Sequence, residues 1–419
     1  MALAPDGYSR RLLSTAVPTT VYVASSNRRA SPANDANAPD LQAESDWGAG
    51  CARGRYRRLM ARSVRTRRTA TMAALAAELG VSRTTVSNAY NRPDQLSPEL
   101  RERVLDAARR LGYPGPDPVA RSLRTRQAGA VGLLLTEALS YAFQDPAAVR
   151  FLEGLAMACG DAGRGLLLVP ASPDADGGKP AVTVHRAVVD GFVVYSVPDD
   201  DLSLAAVLQR PLPIVVCDQP HIDGIDHVGI DDRAAMRDLG GYLIGLGHRR
   251  IGVVCMRLGR DRHDGFADVQ RQQSARFHVQ RERLAGLSDA FGAALLDWSV
   301  VPVAERLDHT IRSGASATSE LLDSNPTLTA IVCTSDILAL GALREIRRRG
   351  RRVPEDLTVT GFDGVLEAER AGLTTVAQPV LEKGRAAGQL LLDRSQRTGR
   401  TVMLPTELVV RTTSGPPGS

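Results

Sequence analysis

With 419 residues, 43% of them hydrophobic, the chain holds enough apolar material for two or three cored domains, which excludes a protein that is disordered throughout. No run approaches the roughly 18–20 apolar residues of a membrane helix, and residues 10–24 lack the apolar stretch and cleavage site of a signal peptide, so a cytoplasmic protein with no membrane partner is expected. The formal charge of +5 hides a division: residues 53–126 carry 17 arginines against six acidic side chains, whereas beyond residue 126 acidic groups outnumber basic ones.

Only two lysines occur, Lys179 and Lys383, which marks an arginine-rich composition. Such a bias alone would not concentrate the excess in one stretch, and a polyanion such as DNA is the expected partner. The five cysteines, Cys51, Cys159, Cys217, Cys255 and Cys333, are odd in number and widely spaced, with no C-x-x-C pair or close histidine. They read as buried free thiols, with no disulfide framework and no metal site.

In chain order, residues 1 to about 50 are rich in Ala, Ser, Asn, Asp and Pro, and 1–62 read as a disordered or non-native extension; Met60, just ahead of Arg62, Arg65, Arg67 and Arg68, offers an alternative start. Residues 63–113 read as three short helices. Thr71 suits the cap of a helix over 72–79, Gly80 permits a sharp exit, and Ser82 suits the cap of a second helix reaching about residue 90. Ser97-Pro98-Glu99 starts a third, with Leu100, Val104, Ala108 and Leu111 at helical spacing and Gly112 at its end. Leu75, Leu79, Val81, Val86 and Leu96 are the expected shared core. On the second helix Arg83, Thr84, Ser87 and Asn88 lie away from Val86 and leave an exposed polar face. A polar helix face is ordinarily only solvated; placed after a Gly-Val-Ser turn in a basic segment, it points to DNA reading.

Residues 114–127 are expected to be a linker and hinge. The prolines and glycine of 113–118 favour extended chain, and Asp117-Pro118 suits the start of a helix over 119–124, too short to persist without a partner. Beyond residue 130, apolar runs alternate with amphipathic helices, the pattern of parallel β/α layers. Strands are expected at 131–135, 165–169, 191–194, 214–217, 251–255, 330–333 and 358–361. Helices are expected at 148–162, 233–246, 276–296, 314–322 and 337–349. The polar, glycine-containing stretch 257–274 reads as an inserted mobile loop, with a charged surface helix as the alternative.

Taken together, Gly80-Val81-Ser82 with Thr85-Val86-Ser87 and Asn91, and Ala120-Arg121-Ser122-Leu123, are similar to the headpiece and hinge of the lac repressor and purine repressor family of bacterial transcription regulators. The likeness continues through Leu246-Gly247-His248-Arg249-Arg250-Ile251, Arg283-Leu284-Ala285-Gly286, Thr334-Ser335-Asp336, Val353-Pro354-Glu355-Asp356, Gly361-Phe362-Asp363 and Leu373-Thr374-Thr375-Val376, in the family's order. It covers residues 71 to about 411. The fold class this resemblance implies is α + α/β: a three-helix helix-turn-helix headpiece with a hinge helix, then a two-lobed doubly wound α/β domain like a periplasmic binding protein. The implied lobes are 128–229 with 377–397, and 230–376 with 398–412, leaving 413–419 as a tail.

The resemblance also implies a homodimer or larger assembly that reads a near-palindromic double-stranded DNA operator, most often as a repressor, under control of a small-molecule effector such as a sugar or nucleoside. Arg83, Thr84 and Asn88 fall where family members contact base edges, and Thr71, Ser82, Thr85, Ser87, Asn91, Ser97 and Tyr113 where they touch phosphates. Ala120 and Leu123 fall at the hinge, where a leucine wedges into the minor groove. For the effector the resemblance points to Asp218, Arg283, Asp336 and Asp363, with Tyr141 and Phe143 available to stack on a ring. Asp117 departs from the family's usual asparagine before the hinge, the linker is one residue longer than the common form, and Ala74 replaces an acidic residue.

Three other classes fit the chain less well. A free-standing sugar-binding protein would not carry the headpiece, and an architectural DNA-binding protein would leave the ligand-domain pattern unused. For a sugar-phosphate enzyme the chain shows no G-x-x-x-x-G-K-[ST], G-x-S-x-G or H-E-x-x-H, so no catalytic residue, metal or cofactor is expected. His248-Arg249-Arg250 resembles a catalytic cluster in isolation, but cations at a helix end suit its dipole.

Overall fold

The computed structural model describes residues 21–23, 70–117, 122, 125–135, 142–170, 180–393, 395 and 398–418. The hinge residues Ala120 and Leu123, Tyr141, and nearly all of the expected N-terminal extension lie outside them. The chain divides into two compact units, residues 26–127 and residues 128–419 with 1–25.

In the smaller unit each helix begins on the side chain expected to cap it. Thr71 Oγ1 accepts from Ala74 N (3.2 Å) and opens α1 (Met72–Leu79). Gly80, at φ 65°, turns the chain out, and Val81 N returns to Ala76 O. Ser82 Oγ accepts from Thr85 N (3.0 Å) to open α2 (Arg83–Asn91), and Ser97 Oγ accepts from Leu100 N to open α3 (Pro98–Leu111). Leu75 and Val86 are fully buried with Ala89, Val104 and Ala107; Leu79, Val81 and Leu96 pack around them half-buried.

The larger unit is built on two sheets. The first takes β1 (Val21–Val23), β2 (Ala130–Leu135), β3 (Gly165–Pro170), β4 (Phe192–Tyr195), β5 (Ile214–Cys217) and β6 (Asp226–Gly229), with α4 (Pro146–Asp161), α5 (Pro180–Arg186) and α6 (Leu202–Leu208) between strands. The second takes β7 (Ile251–Met256), β8 (Gly265–Phe266), β9 (Val303–Arg306), β10 (Ala330–Cys333), β11 (Thr358–Asp363) and β12 (Thr374–Ala377). Its helices are α7 (Asp232–Gly245), α8 (Val269–Gln273), α9 (His278–Ala293), α10 (Ile311–Ser324), α11 (Asp336–Arg348) and α12 (Leu366–Arg370). The chain then returns to the first lobe through α13 (Val380–Leu392) and β13 (Thr401–Met403), and ends in the second with β14 (Glu407–Val409). The strand orders are β1-β3-β2-β4-β5-β6-β13, all parallel, and β14-β12-β11-β10-β7-β9-β8, antiparallel only at its two edges.

Central strands such as β2, β7 and β10 are buried on both faces, which is why they read as unbroken apolar runs. Three helix pairs meet through glycine: a Cβ on Gly154 or Gly384 would overlap backbone across α4 and α13, one on Gly286 would do so across α7 and α9, and one on Gly314 or Gly341 across α10 and α11. Among the described residues no helix is long and apolar enough to cross a membrane.

Three expectations change. Within the stretch read as disordered, Val21–Val23 forms an edge strand on β3, as its β-favouring Val-Tyr-Val sequence permits. Residues 398–404 belong to the first lobe, because Arg400 pairs with Asp226 and delivers Thr401–Met403 beside β6. The stretch 257–274 is not a bare loop: it contains β8 and α8, and Arg271 ties it to the fully buried Glu305 on β9, which also accepts from Leu258 N.

Candidate functional site

On the smaller unit, α2 leaves Arg83 and Thr84 exposed at its N-terminal turn. Asn88, half-buried one turn on, donates from Nδ2 to Gln95 Oε1 (3.3 Å), and Asn91 donates to the Ser87 carbonyl. The hydroxyls of Thr71, Ser82 and Ser97 each accept a backbone amide at an exposed helix start, and Ser82 also meets the Thr85 hydroxyl at 2.9 Å. Tyr113 stands edge-on to Tyr90, 6.0 Å between centroids, and closes the core on that side. Helix N-termini capped by hydroxyls and an exposed arginine can hold phosphates and a base edge. Over residues 70–117 arginines and acidic groups balance, so the basic excess seen in the sequence sits in the flanks, at 53–68 and at Arg121, Arg124 and Arg126.

In the larger unit a cavity of about 130 Å³ opens at the carboxyl ends of strands from both sheets, where ligands of doubly wound folds sit. Asp218 and Gln219 follow β5, Tyr195 and Ser196 close β4, Asp363 ends β11, Arg283 rises from α9, and His309 follows β9; all line it. Three of these strand-end residues hold positive φ without being glycine: Ser196 (53°), Asp218 (68°) and Asp363 (126°). Such backbone costs energy, and its concentration around one cavity is a mark of function that does not depend on side-chain chemistry.

The polar groups form a chain across the lobes. Lys383 Nζ, on α13, donates to both Asp218 oxygens (2.7 and 2.9 Å) and to Gln378 Oε1 (2.5 Å). Gln378 Nε2 donates to Asp363 Oδ1 (2.7 Å), and Arg283 NH1 lies 3.9 Å from that same oxygen. Arg283 in turn donates to Asp232 Oδ1 and the Thr334 carbonyl, with its guanidinium 3.6 Å from the centre of the Phe362 ring. Burial pushes the Asp363 carboxyl well above the usual carboxylate range, with Arg283 pulling the other way.

Two direct contacts also span the cleft. Gln219 Oε1 accepts from Val279 N (2.7 Å), and His309 Nδ1 approaches Asp145 Oδ2 at 3.7 Å while its Nε2 meets Ser335 Oγ at 2.7 Å. Burial holds the His309 imidazole below its ordinary pKa, with Asp145 pulling the other way. Gln280, nearly buried in the wall, leaves Oε1 without a partner among the described residues. Arg257, over the face of Phe277, is pushed down to about 10 by burial.

Of the expected effector residues, Asp218, Arg283 and Asp363 come together here. Asp336 does not. Its oxygens accept from Gly364 N, Val365 N and Thr375 Oγ1 at 2.6–2.9 Å, so it clasps the turn after β11 to the start of α11 behind the cavity wall. Burial pushes it up to about 6 against those three hydrogen bonds, which favour the ionised form. Phe143 is half-exposed and outside the lining, and Tyr141 lies outside the described residues. Asp145, Tyr195, Gln219, Arg257, Gln280, His309, Gln378 and Lys383 were not anticipated. The one available signal was Lys383, one of only two lysines in an arginine-rich chain, and it does not name a partner. Among the described residues no group of histidine, cysteine and acidic side chains could hold a metal ion.

Against known proteins, residues 71–115 match the bacterial regulatory proteins of the lacI family, and residues 241–414 a periplasmic binding protein-like domain. A Mycolicibacterium smegmatis HTH-type transcriptional regulator is 56% identical over 366 residues, covering 85% of this chain and all of that one. Among solved structures, the complex of the transcriptional regulator CelR with cellobiose is 30% identical, with a TM-score of 0.60 over 82% of this chain and 99% of that one. The lac repressor dimer bound to operator and the anti-inducer ONPF is 25% identical, with a TM-score of 0.67 over 83% of this chain and 99% of that one.

Proposed function

The chain belongs to the lacI family of bacterial DNA-binding transcription regulators, and from that premise we propose that it is a non-enzymatic, cytoplasmic, nucleoid-associated repressor whose hold on a near-palindromic operator is set by a sugar or nucleoside in the interlobe cavity. In this reading it works as a homodimer or larger assembly, without a cofactor, and the lac repressor, seen as a dimer on operator DNA, is the precedent. Arg83, Thr84 and Asn88 read base edges; Thr71, Ser82, Thr85, Ser87, Asn91, Ser97 and Tyr113 fix the backbone; Ala120 and Leu123 enter the minor groove at the hinge.

The single observation that carries the effector half is the cavity itself. Its polar chain joins Asp218 of one lobe to Asp363 and Arg283 of the other, so a bound molecule touching both changes how the lobes meet. Paired carboxylates and a guanidinium suit the vicinal hydroxyls of a sugar, and CelR, of the same fold, is known with cellobiose. The chain leaving the hinge is fixed to the first lobe: Asp190 accepts from Ala128 N (2.5 Å) and Gly129 N (2.9 Å) and is braced by Arg164. Lobe movement therefore reaches the hinge through a covalent path that is clamped at its entry.

A genome-wide map of bound sites identifies the operator, and the genes beside it suggest the ligand class. Fluorescence anisotropy on that operator, with sugars and nucleosides added in turn, then tests control. At least one is expected to shift operator affinity; DNA binding that no metabolite alters would favour an architectural protein instead.

A further inference from the structure

Lys383 is fully buried, 1% exposed, and lies behind Asp218 outside the cavity lining. An ammonium has three hydrogens, and here three acceptors take them: Asp218 Oδ1, Asp218 Oδ2 and Gln378 Oε1. None is left for a ligand. Burial works against the charge, but Asp218, Cys217 and Asp232 together hold the Lys383 ammonium above its ordinary pKa. The second cation, Arg283, gives two of its five N–H donors to Asp232 and the Thr334 carbonyl and lies 3.9 Å from Asp363, so it is already balanced by carboxylates. Three carboxylates, of Asp145, Asp218 and Asp363, face the cavity against the two guanidiniums of Arg257 and Arg283. The wall is thus balanced to slightly acidic, and its buried unpartnered atom, Gln280 Oε1, is an acceptor that asks for a donor.

We propose that Lys383 is a positioning residue that sets the charge class of the ligand: by neutralising Asp218 from behind with every donor it has, it leaves a cavity that takes an uncharged, hydroxyl-bearing molecule and rejects its phosphorylated counterpart. This deepens the reading of the cavity as the effector site and rests on it. A phosphate would find no free ammonium and would add negative charge beside the carboxylates of Asp145 and Asp218. A hydroxyl donates to Gln280 Oε1 and to carboxylates already oriented by Lys383 and Gln378.

The test uses inorganic phosphate as the probe on the full chain, so it does not wait for the effector. Thermal midpoints are measured with about 20 mM phosphate or with chloride at equal ionic strength, since a ligand that binds only the folded state raises the midpoint. Phosphate held at the headpiece acts on parent and variants alike, so the parent's midpoint with phosphate sets the baseline. Asp218→Asn releases Lys383 from its counter-ion and is expected to gain a phosphate-dependent rise, which Asp218→Asn with Lys383→Met abolishes. An Asp218→Asn variant that folds and rises with phosphate no more than the parent does overturns the proposal.

Should Asp218→Asn alone not fold, the stabilities of Lys383→Met and of the double variant decide. Lys383→Met strands a buried carboxylate, so the double variant must be the more stable of the two, and the reverse order refutes the pairing. A parent whose operator binding ignores every neutral metabolite would defeat the effector reading, while the phosphate comparison would still stand on its own.

Discussion

Asp218, Asp336 and Asp363 all read from the sequence as cleft carboxylates, and their surroundings give them different work. Asp336 has its acceptors filled by two amides and a hydroxyl of its own fold, so Asp336→Ala leaves buried donors unpaired and is expected to cost about 2–3 kcal/mol of stability by chemical denaturation. Asp363→Asn keeps the shape and the Gln378 contact, so it is expected to melt close to the parent while losing the ligand response; a variant with parental response would remove Asp363 from the site. On the headpiece, Arg83→Ala is expected to relax specificity at one operator position at a cost of about 1–3 kcal/mol. Equal loss on every sequence would make Arg83 a phosphate contact instead. Asp218, Arg283 and Asp363 were legible because each follows an apolar strand or sits in a motif shared with the family. Lys383 was not, since its partner Asp218 is 165 residues away and no local pattern joins them.

Elements were legible where the period was strong and the ends were punctuated. The Thr71, Ser82 and Ser97 caps and the Gly80 and Gly112 exits carried the headpiece, and the apolar runs carried the central strands. Short strands with polar residues, such as β6, β9 and β13, were missed: pairing with neighbours distant in sequence defines them, not alternation. The Leu246 to Ile251 motif resolves at this scale. Arg249 donates to the Ile244 carbonyl near the end of α7, whereas His248 is buried, meeting the Gly415 carbonyl through Nε2 and Thr329 Oγ1 through Nδ1, and so moors the C-terminal tail. Burial lowers its pKa below the ordinary 6.5. Its contribution to stability is therefore full above that value and is lost as pH falls through the folded-state pKa. His248→Gln should narrow the gap between melting midpoints at about pH 7.5 and about pH 5.5, and an unchanged gap would show that His248 does not titrate on unfolding. Gly384→Ala, which drives a methyl into the Phe151 carbonyl between α13 and α4, is expected to destabilise the larger unit by about 1–3 kcal/mol.

For the whole molecule, charge and coupling make the strongest demands. The headpiece is itself balanced, so the arginines of 53–68 and of the hinge must supply most of the counterion release, and operator affinity should fall steeply with salt. A chain begun at Met60 keeps Arg62, Arg65, Arg67 and Arg68 but loses the four arginines of 53–58, and its salt slope should be shallower. The most direct test of the central claim is operator anisotropy on a site recovered from the binding map, with and without a ligand shown by calorimetry to bind, for the parent and for Arg283→Ala. A coupled regulator should show a ligand-dependent change in operator affinity of about 5- to 150-fold in the parent, as 1–3 kcal/mol of coupling gives, and none in Arg283→Ala, with ligand-free operator affinity alike in both. A parent whose operator affinity ignores a ligand that binds it, or an Arg283→Ala variant that responds as the parent does, would contradict control through the interlobe cavity.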